Sequence, residues 1–263
     1  MKNMKKIHIN KKRIGIVLAG VFLFGLVFAL PPAAEKVGAF AAANMERKLP
    51  IYCVQTDEPK VSISFDAAWG ADDTDELLRI LEENNVKATF FLCGYWVEKY
   101  PEEVKKIAEA GHDLGNHSAT HPHMSQLTAE QITEELQKCH QNVKELTQIE
   151  MDLFRPPFGE YDNEVIETAA ANGYYTIQWD IDSLDWKEQG ADAEINQVLN
   201  HKHLGNGSIV LFHNDAKYTP QVLDTILKGI KEKGFEIVPV SELIHRDHYE
   251  MDHEGRQIPK SAE

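Results

Sequence analysis

The sequence predicts an α/β fold, a parallel sheet covered by helices and either doubly wound or closed into a barrel, behind an apolar N-terminal segment. Two patterns carry that prediction. Short apolar, β-branched or aromatic runs alternate with stretches whose apolar residues recur at helical spacing, and such alternation builds parallel sheets. Polar clusters follow several of the apolar runs, and the carboxyl ends of parallel strands are where active sites assemble.

The first element is the apolar segment. Residues 14–30, IGIVLAGVFLFGLVFAL, carry no charge and directly follow Lys11, Lys12 and Arg13. Their length sits at the short limit for spanning a bilayer and slightly above a signal-peptide core. The basic flank keeps that end in the cytoplasm and sends the rest outward. Two fates stay open: an uncleaved anchor, or a signal cleaved near the small residues Ala41 and Ala43. The expected organisation is a basic cytoplasmic tip at 1–13, a transmembrane or signal segment at 14–34, a linker and lead-in strand at 35–58, a globular domain at 59–243 and a polar tail at 244–263. The expected location is the cell membrane, single-pass with the globular domain on the extracytoplasmic side, or secretion after cleavage.

Charge agrees with that layout. The chain holds 27 Lys+Arg against 42 Asp+Glu, a net charge of −15. Seven of those bases and only one of the acids (Glu35) lie in residues 1–43, so the remainder carries −21. Such acidity excludes a general nucleic-acid binder. The three cysteines, Cys53, Cys93 and Cys139, are too few and too scattered for a disulfide framework, and Cys93 sits in an apolar run expected to be buried.

Strands are expected at 61–65 (VSISF), 88–92 (ATFFL), 152–154 (DLF), 174–179 (YYTIQW), 208–212 (SIVLF) and 235–238 (FEIV). Between them, Leu77, Leu78 and Leu81 mark a helix over 74–83. Ile132, Leu136, Cys139 and Val143 mark another over 128–146. A helix over 102–110 starts after Pro101 and stops at Gly111, and helices over 163–172 and 221–233 end at Gly173 and Gly234. From His245 onward the chain is polar, lacks periodicity and is expected to be a mobile tail.

The polar clusters carry the chemistry. Asp66 emerges at the end of a strand in which Val61, Ile63 and Phe65 alternate with Ser62 and Ser64. His117 and His121 are four residues apart. On a helical turn that spacing puts both imidazoles on one face, able to share a divalent metal, although HxxxH alone is a weak signal against a surface or core role. Gly115, Asn116 and Pro122 favour a loop-held turn, and His123 is expected to point elsewhere. In FRPPFGEY, the two prolines stiffen the backbone and leave the Phe158 N–H as the first available donor, while Arg155 suits holding a carboxylate; an ordinary turn with a surface arginine is the plainer alternative. WDIDSLDW crowds Asp180, Asp182 and Asp185 between two tryptophans, and His213 follows SIVLF. A nearby carboxylate favours the charged imidazole and raises its pKa into the range of a general acid.

In this order, SFDAAWG (64–70), HSATH (117–121), RPPFG (155–159), DSLDW (182–186) and LFH (211–213) resemble the five motifs of the polysaccharide deacetylases, carbohydrate esterases that share the NodB homology domain. The resemblance spans roughly residues 60–243. It implies a distorted, incomplete (β/α) barrel, an N-deacetylase that uses a divalent metal, commonly zinc, and a cell-wall glycan substrate such as peptidoglycan. The FDxxWG form resembles a sporulation-associated, membrane-anchored branch.

By motif, the resemblance makes Asp66 the general base, His117 and His121 the metal ligands, and Arg155 the residue that orients Asp66. It gives the Phe158 amide to the oxyanion and makes His213 the general acid, tuned by Asp185. Trp186, Leu211 and Asp182 fall in the substrate-binding part. One position departs from the family pattern: where a second aspartate normally ligates the metal, this chain has Ala67, whose methyl group holds no cation. Water in its place, substitution by Asp72 or Asp73, and an idle site remain open, with a weakened or atypical metal site as the expectation. Two function classes follow, an exported hydrolase and a catalytically silent glycan-binding protein.

Overall fold

In the computed structural model, residues 47–260 are described, and they fall in one compact unit. The expected membrane or signal segment at 14–34 lies outside the described residues, among which no helix is long and apolar enough to cross a membrane.

The strands are β1 (Cys53–Val54), β2 (Lys60–Ala67), β3 (Thr89–Leu92), β4 (Asp113–Asn116), β5 (Leu153–Phe154), β6 (Tyr175–Thr176), β7 (Ile181–Asp182), β8 (Ile209–His213), β9 (Glu236–Ile237), β10 (Tyr249–Met251) and β11 (Arg256–Pro259). The helices are α1 (Thr74–Glu83), α2 (Gly94–Lys99), α3 (Pro101–Glu109), α4 (Ala129–Thr147), α5 (Asn163–Ala171), α6 (Ala191–Leu199), α7 (Thr219–Glu232) and α8 (Val240–Leu243).

The main sheet runs β6-β5-β4-β3-β2-β8-β7, and β9 pairs with the start of β2; every pairing in it is parallel. Its two edge strands, β6 and β7, are nearly consecutive in the chain. Five residue steps span at most ~18 Å, whereas seven strands laid flat place their edges ~29 Å apart at ~4.8 Å per spacing. The sheet therefore curls until its edges almost meet. The segment at β1 spans the gap: Ile51 exchanges backbone bonds with Thr176 and Gln178 on one side, and Val54 donates to the Gly207 carbonyl just before β8 on the other. This incomplete barrel is what the resemblance implied.

Curling gives each strand a helix-covered outer face and an inner face, so its residues are buried on both sides. On β2, Val61, Ile63, Phe65 and Ala67 join the larger core with the helices, while Ser62 and Ser64 turn inward and donate to the carbonyls of Val238 and Val210 at 2.8 Å each. On β3, Phe90 packs outward and Phe91 inward into a second core with Ile51, Val54, Ile177 and Ile209. Gly115 on β4 is required by that packing, since a Cβ there would stand 2.4 Å from the Phe91 ring.

The long helix α4 matches its expected range within a residue. Thr128 accepts from the Gln131 amide and the Gln131 side chain returns a bond to the Thr128 amide, a capping box worth ~1 kcal/mol. All three cysteines are buried and free. Helices α2, α6 and α8 and strands β4 and β7 were not among the expected elements.

The expectation of a mobile polar tail is corrected. Strands β10 and β11 pair antiparallel and β11 pairs parallel with β1, making a small second sheet. Its anchor is polar: Gln257 is wholly buried, and its side-chain amide exchanges two 2.9 Å bonds with the backbone of His245. An amide clamp of this kind leaves no hydrophobic period to read.

Candidate active site

The carboxyl ends of the parallel strands surround a cavity of about 570 Å³, and nine of the ten candidate residues line it: Asp66, His117, His121, Phe158, Asp182, Asp185, Trp186, Leu211 and His213. The tenth, Arg155, stands directly behind Asp66. It is fully buried rather than a surface arginine, because it follows β5 on the inner face. Its Nη1 donates to Asp66 Oδ1 at 2.8 Å, and its Nη2 lies 2.9 Å from Ser64 Oγ and 3.1 Å from the Gln178 carbonyl. The guanidinium also lies over the Phe91 ring, 4.0 Å from its centroid. Burial works to raise the Asp66 carboxyl, but the charges of Arg155, His117 and His213 outweigh it and hold Asp66 below the usual carboxylate range.

His117 and His121 meet, though not on a helical turn. Ser118 and His121 have φ of 65° and 57°, so the segment is an irregular loop after β4. The Asn116 side chain accepts from the Ser118 amide and Ser118 Oγ accepts from the His121 amide, which folds the loop back and brings the two rings to 5.0 Å between centroids. His117 Nδ1 donates to the Arg155 carbonyl at 2.7 Å, so the neutral ring presents an unprotonated Nε2, 3.7 Å from Asp66 Oδ2. Burial lowers the pKa of both imidazoles, that of His121 to about 4. His123 does point elsewhere, to Glu160 at 2.7 Å.

These donors do not complete a metal site. Among the described residues no group of three or more His, Cys, Asp or Glu side chains is placed to hold a metal ion. Ala67 is fully buried and its methyl group offers no donor, and neither Asp72 nor Asp73 lines the cavity. Catalytic zinc takes three protein ligands, and here two imidazoles stand where three donors are needed.

Opposite Asp66, His213 Nδ1 donates to Asp185 Oδ1 and the His213 amide donates to Oδ2, both at 2.7 Å; the Trp186 amide also binds Oδ1 at 2.7 Å. Burial opposes the imidazolium, but the bond and charge of Asp185, joined by Asp66 and Asp182, hold His213 above its ordinary value. The carboxylate of Asp182 is tied to the Leu184 amide at 2.8 Å.

In the RPPFG turn, Phe158 adopts φ 60° and Gly159 φ 68°. The turn's bonds use the Gly159 and Glu160 amides and leave that of Phe158 out. Five of the eight described non-glycine residues with positive φ (Ser118, His121, Phe158, Leu184 and Glu188) lie in the loops around this cavity, a concentration of strain typical of sites whose geometry is imposed by the fold.

The three exposed large hydrophobics among the described residues, Trp69, Phe158 and Trp186, are all more than half exposed and all line the cavity. Trp69 packs edge-on against His121, which packs in turn against Phe158. Trp69, Trp179, Asp215 and Lys217 line the cavity without having been singled out as site residues. The tryptophan of the first motif and the residues just beyond His213 were the available signals.

The polysaccharide deacetylase profile matches residues 54–177. The YlxY protein of Bacillus subtilis, uncharacterized, is 36% identical over 195 residues, which are 74% of this chain and 60% of that one. A peptidoglycan-N-acetylglucosamine deacetylase of Bacillus cereus is 32% identical over 200 residues, 74% of this chain and 92% of that one. The crystal structure of a CE4 family pseudoenzyme from Bacillus anthracis superposes with a TM-score of 0.72 at 31% identity, covering 82% of this chain and 72% of that one. A mutant of that pseudoenzyme with restored enzymatic activity superposes with the same TM-score at 32% identity, covering 82% and 75%.

Proposed function

The chain belongs to the polysaccharide deacetylase family, and on that premise we propose that it removes N-acetyl groups from cell-wall polysaccharide, peptidoglycan above all. One observation carries the reading. Two buried acid–base pairs, Arg155–Asp66 and Asp185–His213, face a single cavity rimmed by exposed aromatic rings.

Amide hydrolysis needs a base for the attacking water, a donor for the oxyanion and a proton for the departing nitrogen. Asp66, held ionised by Arg155, takes the water proton as the C–O bond forms. The Phe158 amide supplies the donor. As the C–N bond breaks, imidazolium His213 protonates the nitrogen, so acetate and a free amine leave. Trp69, Phe158 and Trp186 offer apolar faces for sugar rings.

A second reading has its own support, the alanine at position 67 together with the likeness to a pseudoenzyme. Under it, the groove binds glycan without turnover. The experiment is acetate release by the full chain from N-acetylglucosamine oligomers and muropeptides, with zinc, cobalt or manganese and again with chelator. Release in any of these conditions supports the hydrolase; binding without release in all of them supports the silent binder.

The sequence also supports export through residues 14–34, with the domain outside the membrane, and the FDxxWG motif supports a role in sporulation. Protease added to intact cells should then digest the domain, and full protection would count against export. A deletion strain that sporulates normally and makes unaltered spore-wall glycan would count against the sporulation role.

A further inference from the structure

Behind the Asp185–His213 pair lie two buried polar groups, Thr219 and Glu194, that the proposed reaction does not use. Asp185 Oδ2, already bound by the His213 amide, lies 3.2 Å from the Thr219 hydroxyl. Thr219, fully buried at the start of α7, lies 2.8 Å from Glu194 Oε1. Glu194 projects from α6, is 4% exposed, and its Oε2 has no partner among the described residues.

Counting donors shows a conflict. The Thr219 hydroxyl has one proton and two carboxylate oxygens within reach. With both acids ionised, one oxygen faces a lone pair and Glu194 keeps a bare charge away from water, both heavily penalised. A single proton on Glu194 resolves both faults: Glu194 donates to Thr219, which donates to Asp185.

We propose that Glu194 is a positioning residue for His213: its carboxylic acid proton, given to Thr219, commits the Thr219 hydroxyl as a donor to Asp185. Burial pushes the Glu194 carboxyl up to about 7, with the Asp185 charge adding to the rise and the Thr219 bond opposing it. His213 is faced by Asp185 and Asp182, by Asp66 from β2, by Asp215 beside it, and by the imidazoles of His117 and His121 across the cavity. Ionisation of Glu194 adds a further negative charge behind Asp185, so His213 binds its proton more tightly as the pH rises and its titration is broadened.

This inference rests on His213 as the general acid, but its readout is proton binding, measurable with or without turnover. Histidine-selective NMR on the full chain, with His213 assigned by loss of its signal in His213→Gln, would follow its titration in the presence of chelator. Wild type should titrate over a broad range. Glu194→Gln keeps the shape without the ionisable proton and should give a steeper curve with a lower midpoint. Thr219→Val withdraws a donor from Asp185 and should move the midpoint up. Opposite shifts in the two variants support the relay, because a merely structural role has no reason to move proton affinity in both directions. Superimposable wild-type and Glu194→Gln curves, or a Glu194 carboxyl whose carbon shift reports ionisation at pH 5.5, overturn it. Absence of acetate release alone would count against the hydrolase and leave this result standing.

Discussion

Replacing Arg155 by Met tests the base side of the site most severely. The substitution keeps much of the side-chain volume over Phe91 but removes the bonds to Asp66, Ser64 and the Gln178 carbonyl, leaving a carboxylate that is 7% exposed without its cation. Breaking one side of a buried pair costs ~3–5 kcal/mol, because the remaining charge is stranded in a dry interior. Asp66→Asn strands the guanidinium instead and should cost about the same. The double variant strands no charge, so its loss should fall to ~1–3 kcal/mol, the lost hydrogen bonds and an imperfect fit. The cycle should then show at least ~3 kcal/mol of coupling, far beyond the scatter of independent sites. Urea denaturation followed by tryptophan fluorescence measures it. Each single variant should also melt roughly 6–20 °C lower, at ~2–4 °C per kcal/mol for a domain of this size. A cost below ~1 kcal/mol for Arg155→Met, or a double variant as unstable as the two singles summed, would refute the account of Arg155 as the counter-charge that keeps Asp66 ionised.

Three further outcomes are expected. The imidazolium of His213 has its pKa raised, so the stability and the acid function it supplies are present at low pH and are lost as pH rises through that raised value; Asp185→Asn should move the alkaline limb of acetate release to lower pH, and unchanged limbs would contradict the pairing. Trp186→Ala removes an exposed ring, so chitooligosaccharide affinity measured by calorimetry should fall by ~1–2 kcal/mol, roughly 5–30-fold, while urea stability stays within ~0.5 kcal/mol; equal losses in both would make Trp186 structural. Ala67→Asp buries an uncompensated carboxylate and should lower the melting temperature in chelator. Added zinc should recover the loss in the variant and do less for wild type, and identical zinc shifts in the two would show that position 67 does not complete the donor set.

Much of the site was legible because its residues sit where chain direction and chemistry coincide. Asp66 and His213 end apolar strands, and parallel strands bring their carboxyl ends to one side, so local reading already placed both on one face of the sheet. The pairing of His117 with His121 was legible by motif but not by mechanism: the proximity comes from two left-handed residues and an asparagine-held turn, not from a helical turn. Glu194 and Thr219 gave no signal, since an acid in an amphipathic helix and a threonine before a proline look like surface residues until the tertiary contacts bury them. The tail was misread for a related reason, because Gln257 is held by a side-chain amide clamp rather than by an apolar period.

By itself the sequence determined the alternation of strands and helices, the motif order that marks the family, and the loss of a carboxylate at Ala67. These are written in side-chain identity and short-range period. Only the tertiary structure decided how the edges of the curled sheet are joined through the β1 segment, that Arg155 is fully buried over Phe91, and that the exposed aromatics share one cavity. Each of those depends on contacts between residues far apart in the chain, which local periodicity does not encode.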